Sequence, residues 1–144
     1  MKEVTPKEAA SLLAATPGAV FVDVRSCQEF VAGHPEGAVN VPVAEPNQWG
    51  QMEPNPEFLQ VLTALVPDPA TTVFFSCKSG QRSQYACELA ETAGFVNTIN
   101  VDGGFGGRPN PYEPVIGWRA SGLPVSTANG DGVSYESLRQ RALG

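Results

Sequence analysis

Short unbroken apolar runs alternate along this chain with stretches in which apolar residues recur every three or four positions. Ala19-Val20-Phe21-Val22-Asp23-Val24 and Thr72-Val73-Phe74-Phe75 are dense enough to be buried strands. Ala38-Val39-Asn40-Val41, closed by Pro42, and Thr98-Ile99-Asn100-Val101 are shorter runs of the same kind. Helical patterns lie between them. Thr5 can cap a first helix, Pro6 suits its first position, and Glu8 completes a capping box. Ala9, Leu12 and Leu13 give that helix its apolar face, and Pro17-Gly18 ends it. Ser26 to Phe30 reads as a short helix stopping at Gly33. Phe58, Leu59, Val61, Leu62 and Leu65 form another helical face, broken by Pro67-Asp68-Pro69. From Gly80 to Ala93 the pattern sets Tyr85, Ala86, Leu89, Ala90 and Ala93 on one side, with Cys87 at its flank. Ser134 can cap a last amphipathic helix through Tyr135, Leu138 and Ala142.

Strands alternating with helices predict an α/β domain around a mainly parallel sheet. Residues 1–125 hold the alternation. Residues 126–144 read as a linker rich in Ser, Thr, Asn, Gly and Asp, followed by the final helix. Residues 44–56, with Pro46, Pro54 and Pro56, read as a long loop in which Trp49 and Met52 are candidates to pack over a neighbour. Residues 105–117 read as a second one. Long loops in compact domains are often functional, and Trp49, Phe105, Arg108, Tyr112 and Arg119 are candidate rim residues.

In parallel sheets the ligand site lies beyond the carboxyl ends of the strands. Cys77-Lys78-Ser79-Gly80-Gln81-Arg82-Ser83 occupies such an end. A free thiol with a pKa of about 8.5 is mostly protonated at neutral pH. A helix N-terminus and nearby cations stabilise the thiolate and lower that value to roughly 3.5–7.5. Here the following helix supplies unpaired N–H groups, Lys78 and Arg82 supply charge, and Gly80 lets the backbone curl. The expected result is a bowl of N–H groups with sulfur at its base, suited to an anion or a charged persulfide.

Composition narrows the partners. The length of 144 residues suits one domain with a real core. A net charge of −6 argues against a nucleic-acid surface and does not favour an anionic membrane, so any basic site is local. The start of the chain has no apolar secretory segment, and no apolar run is long enough to span a membrane, which makes the cytoplasm the expected address. Cys27, Cys77 and Cys87 have no metal-ligand spacing, so three free thiols and no metal or cofactor are expected.

The heptapeptide resembles the active-site loop of the rhodanese family of sulfurtransferases. Asp23-Val24-Arg25, Glu29-Phe30, Gly33-His34, Gly37-Ala38 and Asn40-Val41-Pro42 resemble the family's N-terminal signature. Ala86, Gly94-Phe95, Gly103-Gly104, Trp118, Gly122 and Pro124-Val125 resemble its C-terminal half. The likeness covers residues 4–125. It implies a five-stranded, mainly parallel sheet flanked by helices, and transfer of sulfane sulfur from a small anionic donor such as thiosulfate to cyanide, a thiol or a protein. It makes Cys77 the nucleophile and Lys78 and Arg82 the donor-holding cations. The backbone from Ser79 through Gly80, Gln81 and Arg82 to Ser83 would stabilise the persulfide.

Two other functions compete with this one. A persulfide carrier or sensing module would use the same loop with little turnover. The other is a Cys-dependent phosphatase or arsenate reductase; tyrosine and dual-specificity phosphatases separate their Cys and Arg by five residues, whereas Cys77 and Arg82 are separated by four. The shorter loop suits a sulfur better than a tetrahedral phosphate. Phosphate ester hydrolysis also wants a general acid, for which Asp102 and Glu45 are the candidates. Asp23 and Arg25 are possible pocket residues; the plainer expectation is a structural ion pair or loop anchor, with Arg25 facing Glu29. His34 is expected to hold a structural hydrogen bond, Cys27 to be either a resolving thiol or a bystander, and Cys87 to pack.

Overall fold

The helices begin where their capping residues place them. In the computed structural model, which describes residues 1–144, the Glu8 N–H donates to the Thr5 hydroxyl and the Thr5 N–H donates to the Glu8 carboxylate. Ser26 and Glu29 repeat this box at the next helix. In chain order the elements are β1 (Lys2–Val4), α1 (Pro6–Ala15), β2 (Val20–Asp23), α2 (Cys27–Ala32), β3 (His34–Pro35), β4 (Val39–Asn40), β5 (Ala44–Pro46), β6 (Met52–Pro54), α3 (Phe58–Leu65), β7 (Val73–Ser76), α4 (Gln81–Thr92), β8 (Thr98–Val101), β9 (Val125–Ser126) and α5 (Tyr135–Leu143).

Five strands form one sheet in the order β1-β8-β7-β2-β4, with every neighbouring pair parallel. The α/β architecture and five-stranded parallel sheet expected from the sequence are therefore present. β7 is the central strand and all four of its residues are buried, which explains its unbroken apolar run. Successive residues point to opposite faces, so Phe21 and Phe74 join one core while Val22 and Phe75 join the other. The first core lies under α1 and Trp118; the second lies under α3, α4 and α5. No helix is long and apolar enough to cross a membrane.

Several local expectations change. β1, which the apolar pattern does not reveal, adds an edge strand through Lys2↔Ile99 and Val4↔Val101; it has three residues, of which Val4 alone is buried. Residues 44–56 are not a plain loop: β5 and β6 pair antiparallel, and the Asn47 side chain closes the turn by accepting the Trp49 and Gln51 N–H groups. Pro46 and Pro54 sit at strand ends of this two-stranded ribbon, where a missing donor is tolerated. Trp49 at its tip is 74% exposed and covers nothing. On α4 the buried face is Ser83, Ala86, Cys87 and Ala90, while Tyr85 is turned outward. The small residues let the helix approach the sheet, so Cys87 is in the core rather than at its flank. Burial, with Glu91 nearby, pushes its thiol up to about 12.

α5 packs back on the domain. Leu138 enters the second core, the Tyr135 hydroxyl accepts from Asn55, and Arg139 pairs with Glu57. His34 is buried, stacks on Phe30 with ring centroids 3.6 Å apart, and donates through Nδ1 to the Phe30 carbonyl at 2.9 Å.

Candidate active site

Because β7 is central, its carboxyl end lies in the middle of the sheet edge, and Cys77 follows it directly. The next three carbonyls are held from one side. The N–H groups of Phe105, Gly106 and Gly103 donate to the carbonyls of Cys77, Lys78 and Ser79 at 2.8, 2.8 and 3.0 Å. All peptide bonds are trans, and a trans unit points its N–H opposite to its C=O. The amides of Lys78, Ser79 and Gly80 therefore face away from the Gly103–Gly106 segment. Gly80 N–H donates to Cys77 Sγ at 3.1 Å, and Ser83 Oγ lies 3.4 Å from the same sulfur.

Gly80 ends the curl with φ +117°, a value that disfavours any side chain, and a Cβ there would meet Gly103 N at 3.3 Å. As N-cap of α4 it offers no side-chain cap. The amides of Lys78, Ser79, Gln81 and Arg82 meet no protein acceptor. Unpaired amides and the start of a twelve-residue helix thus share one loop with a buried sulfur that the Gly80 N–H touches. Such a concavity stabilises negative charge on the sulfur, or on an atom bonded to it.

The two cations of the loop differ. Lys78 is exposed and forms no ion pair; its stem passes Gly106. Arg82 is held in a fork: Nη1 and Nη2 donate to the two Glu29 carboxylate oxygens at 2.7 and 3.0 Å. This partner raises the Arg82 guanidinium further above its ordinary range, with smaller contributions from Cys77 and Asp23. Burial opposes ionisation of Glu29, but the Arg82 fork and the Ser26 cap outweigh it and bring the carboxyl from 4.5 to about 2. A depressed carboxyl stabilises the fold above its unfolded value, and that stabilisation is lost as pH falls through the folded value. Thermal melts should therefore show wild type above Glu29→Gln at pH 5 and higher, with the difference closing between about pH 4.5 and 2. A constant difference across that window would contradict the pairing.

Asp23 and Arg25 form a buried pair. Arg25 donates through Nε and Nη2 to Asp23, at 2.7 Å for the shortest contact, and Nη2 also donates to Gly33 O. The Arg25 guanidinium stands 4.6 Å from the Phe105 ring centre. Arg25 therefore faces Asp23 and not Glu29. Asp23 sits two residues away on the same strand end, whereas Glu29 is already turned toward Ser26 and Arg82. The arrangement connects α2, the start of β3 and the Gly-rich segment behind the bowl.

Neither candidate general acid is available. Asp102 accepts from Arg108 at 2.9 and 3.1 Å, and Glu45 accepts the Cys27 N–H at 2.9 Å. The Cys27 thiol is pushed up to about 12 by partial burial and by the neighbouring Glu45 carboxylate. A thiol held protonated at neutral pH is a poor resolving nucleophile. Among the rim candidates, Phe105 is buried, Arg108 is engaged by Asp102, and Tyr112 is 95% exposed.

Two residues at this site are not among the candidate site residues of the sequence. Glu29 reads locally as a capping residue, and its grip on Arg82 spans 53 positions. Asn100 stands inside an apolar strand, where an amide is a poor β former and, being buried, requires partners. That mismatch is the signal by which it could have been found. It bonds both Ser83 and Gly80.

The Rhodanese-like domain family model matches residues 5–107. Rhodanese-like domain-containing protein 17 of Arabidopsis thaliana is 37% identical over 123 residues, which cover 84% of this chain and 70% of that protein. The thiosulfate:glutathione sulfurtransferase of Homo sapiens is 38% identical over 104 residues, covering 71% and 88%. The crystal structure of Rv0390 from M. tuberculosis superposes with a TM-score of 0.73 at 34% identity, covering 89% of this chain and 98% of that one.

Proposed function

Since the chain belongs to the rhodanese-like domain family, we propose that it moves sulfane sulfur from a small anionic donor to a thiophilic acceptor through a persulfide on Cys77. The observation that carries this reading is the Gly80 N–H on Cys77 Sγ, at 3.1 Å, inside a loop whose other amides are unpaired. The Cys77 thiolate attacks the outer sulfur of thiosulfate. The sulfur–sulfur bond of the donor breaks, and sulfite leaves with the electron pair. The new terminal sulfur carries the negative charge, which the amides of Lys78 to Arg82 stabilise. Lys78, unpaired and exposed, draws in the anionic donor, and Arg82 adds positive field from its place on Glu29. An acceptor such as cyanide or a thiol then attacks the terminal sulfur, and Cys77 departs as the thiolate.

Relatives named for thiosulfate as donor support this chemistry, and the one named for glutathione makes a small thiol a reasonable acceptor for this chain. Phosphate ester hydrolysis lacks support, because Asp102 and Glu45 are both engaged elsewhere. Steady-state thiocyanate formation from thiosulfate and cyanide tests the reading. Double-reciprocal plots at several cyanide concentrations should be parallel, as for a double displacement. Intersecting lines would require both substrates on the protein together and would contradict a persulfide intermediate. Persulfide formation without turnover would favour a carrier.

A further inference from the structure

The Cys77 sulfur has two hydrogen-bonding partners, Gly80 N and Ser83 Oγ. Both residues are tied to one side chain on the neighbouring strand. Asn100 Oδ1 accepts from the Ser83 hydroxyl at 2.6 Å, and Asn100 Nδ2 donates to the Gly80 carbonyl at 3.2 Å. Nδ2 also donates to Glu3 Oε2 at 3.1 Å. Those two neighbours can only accept, which sets the orientation of the amide. Asn100 is 1% exposed, and every buried polar side-chain atom here has a partner.

Ser83 has one proton, and the 2.6 Å contact places it on Asn100. With its proton on Asn100, the Ser83 hydroxyl turns its oxygen toward the Cys77 sulfur at 3.4 Å. Asn100 thus holds Ser83 within reach of the sulfur and, through the carbonyl of Gly80, holds the residue whose N–H touches it.

We infer that Asn100 is a positioning residue for the Cys77 sulfur, acting through Ser83 and Gly80, with Glu3 on the edge strand orienting it. The inference rests on the sulfur-transfer reading for its effect on turnover, but its effect on sulfur reactivity does not. Asn100→Leu removes all three bonds and keeps the same branching. Asn100→Asp keeps the acceptor for Ser83 and sets a carboxylate oxygen against Gly80 O, so it serves if the first variant does not fold. Thiosulfate:cyanide kinetics should show kcat falling roughly 10- to 100-fold for Asn100→Leu, and less for Asn100→Asp, with KM for thiosulfate little changed. Combining Asn100→Leu with Ser83→Ala should cost less than the product of the two single losses, since both act on one contact. Alkylation of Cys77 by iodoacetamide, followed by peptide mass, should slow in parallel and needs no sulfur donor. Alkylation at the wild-type rate in a folded Asn100 variant overturns the inference, as does a loss confined to KM. Slowed alkylation in a protein whose wild type makes no thiocyanate supports the positioning role and refutes turnover with cyanide as acceptor.

Discussion

Cys77→Ser should bring thiocyanate formation down to the background rate, a loss of about a thousandfold or more. The size of the effect follows from the site. No second nucleophile is poised to take over: Cys27 is held protonated beside Glu45, and Cys87 is inside the core. A serine in the same place keeps the fold and the contact with Gly80, but its hydroxyl is not ionised at neutral pH and offers no sulfur to extend. Melting temperature should change little, so the loss is one of chemistry. Residual turnover above a tenth of wild type would mean that another thiol carries the sulfur.

Gly104→Ala should strongly destabilise the fold at the active-site loop. Gly104 has φ +49° and packs against the active-site loop, where a Cβ would fall onto the Cys77 carbonyl, closer than any real contact. The obstacle is backbone and cannot rotate aside. Relief requires moving the Cys77 peptide, which also carries the bond from Phe105 N–H. Left-handed strain and overpacking together should cost about 3–4 kcal/mol, or roughly 10 °C in Tm for a chain of this length. Gly18→Ala separates the two causes. Gly18 has φ +81° with nothing near its Cβ position, so it should lose only about 1–2 kcal/mol. Equal losses in the two variants would show that the clash at Cys77 is relieved without cost.

Much of this was legible before any coordinates. The apolar runs at 20–24 and 73–75 mark strands covered on both faces, and the capping box at Thr5 marks a helix start. The heptapeptide is local: thiol, glycine and helix start are neighbours in sequence, so their meeting in space needs no tertiary information. What escaped notice depends on distant partners. β1 is a strand because β8 lies beside it, not because three residues with one buried side chain prefer that state. The ribbon at 44–54 is hidden by prolines that an edge tolerates. Arg25 choosing Asp23, and Arg82 choosing Glu29, follow from which strand and helix ends converge, and charge alone offered several pairings. Asn100 gave a hint as an amide in an apolar run, but its partners at Gly80 and Ser83 appear only once β8 lies next to β7.

The arrangement also divides labour between the two cations. Arg82 is fastened by Glu29, so its charge is part of the frame, whereas Lys78 is free to meet an incoming anion.

The most direct test of a Cys77 persulfide is the mass of the protein after thiosulfate alone, with no acceptor. Wild type should gain one sulfur atom, mapped to the peptide that contains Cys77 and removed by cyanide, while Cys77→Ser should gain none. No added sulfur on wild type, or the same addition on Cys77→Ser, would contradict the account.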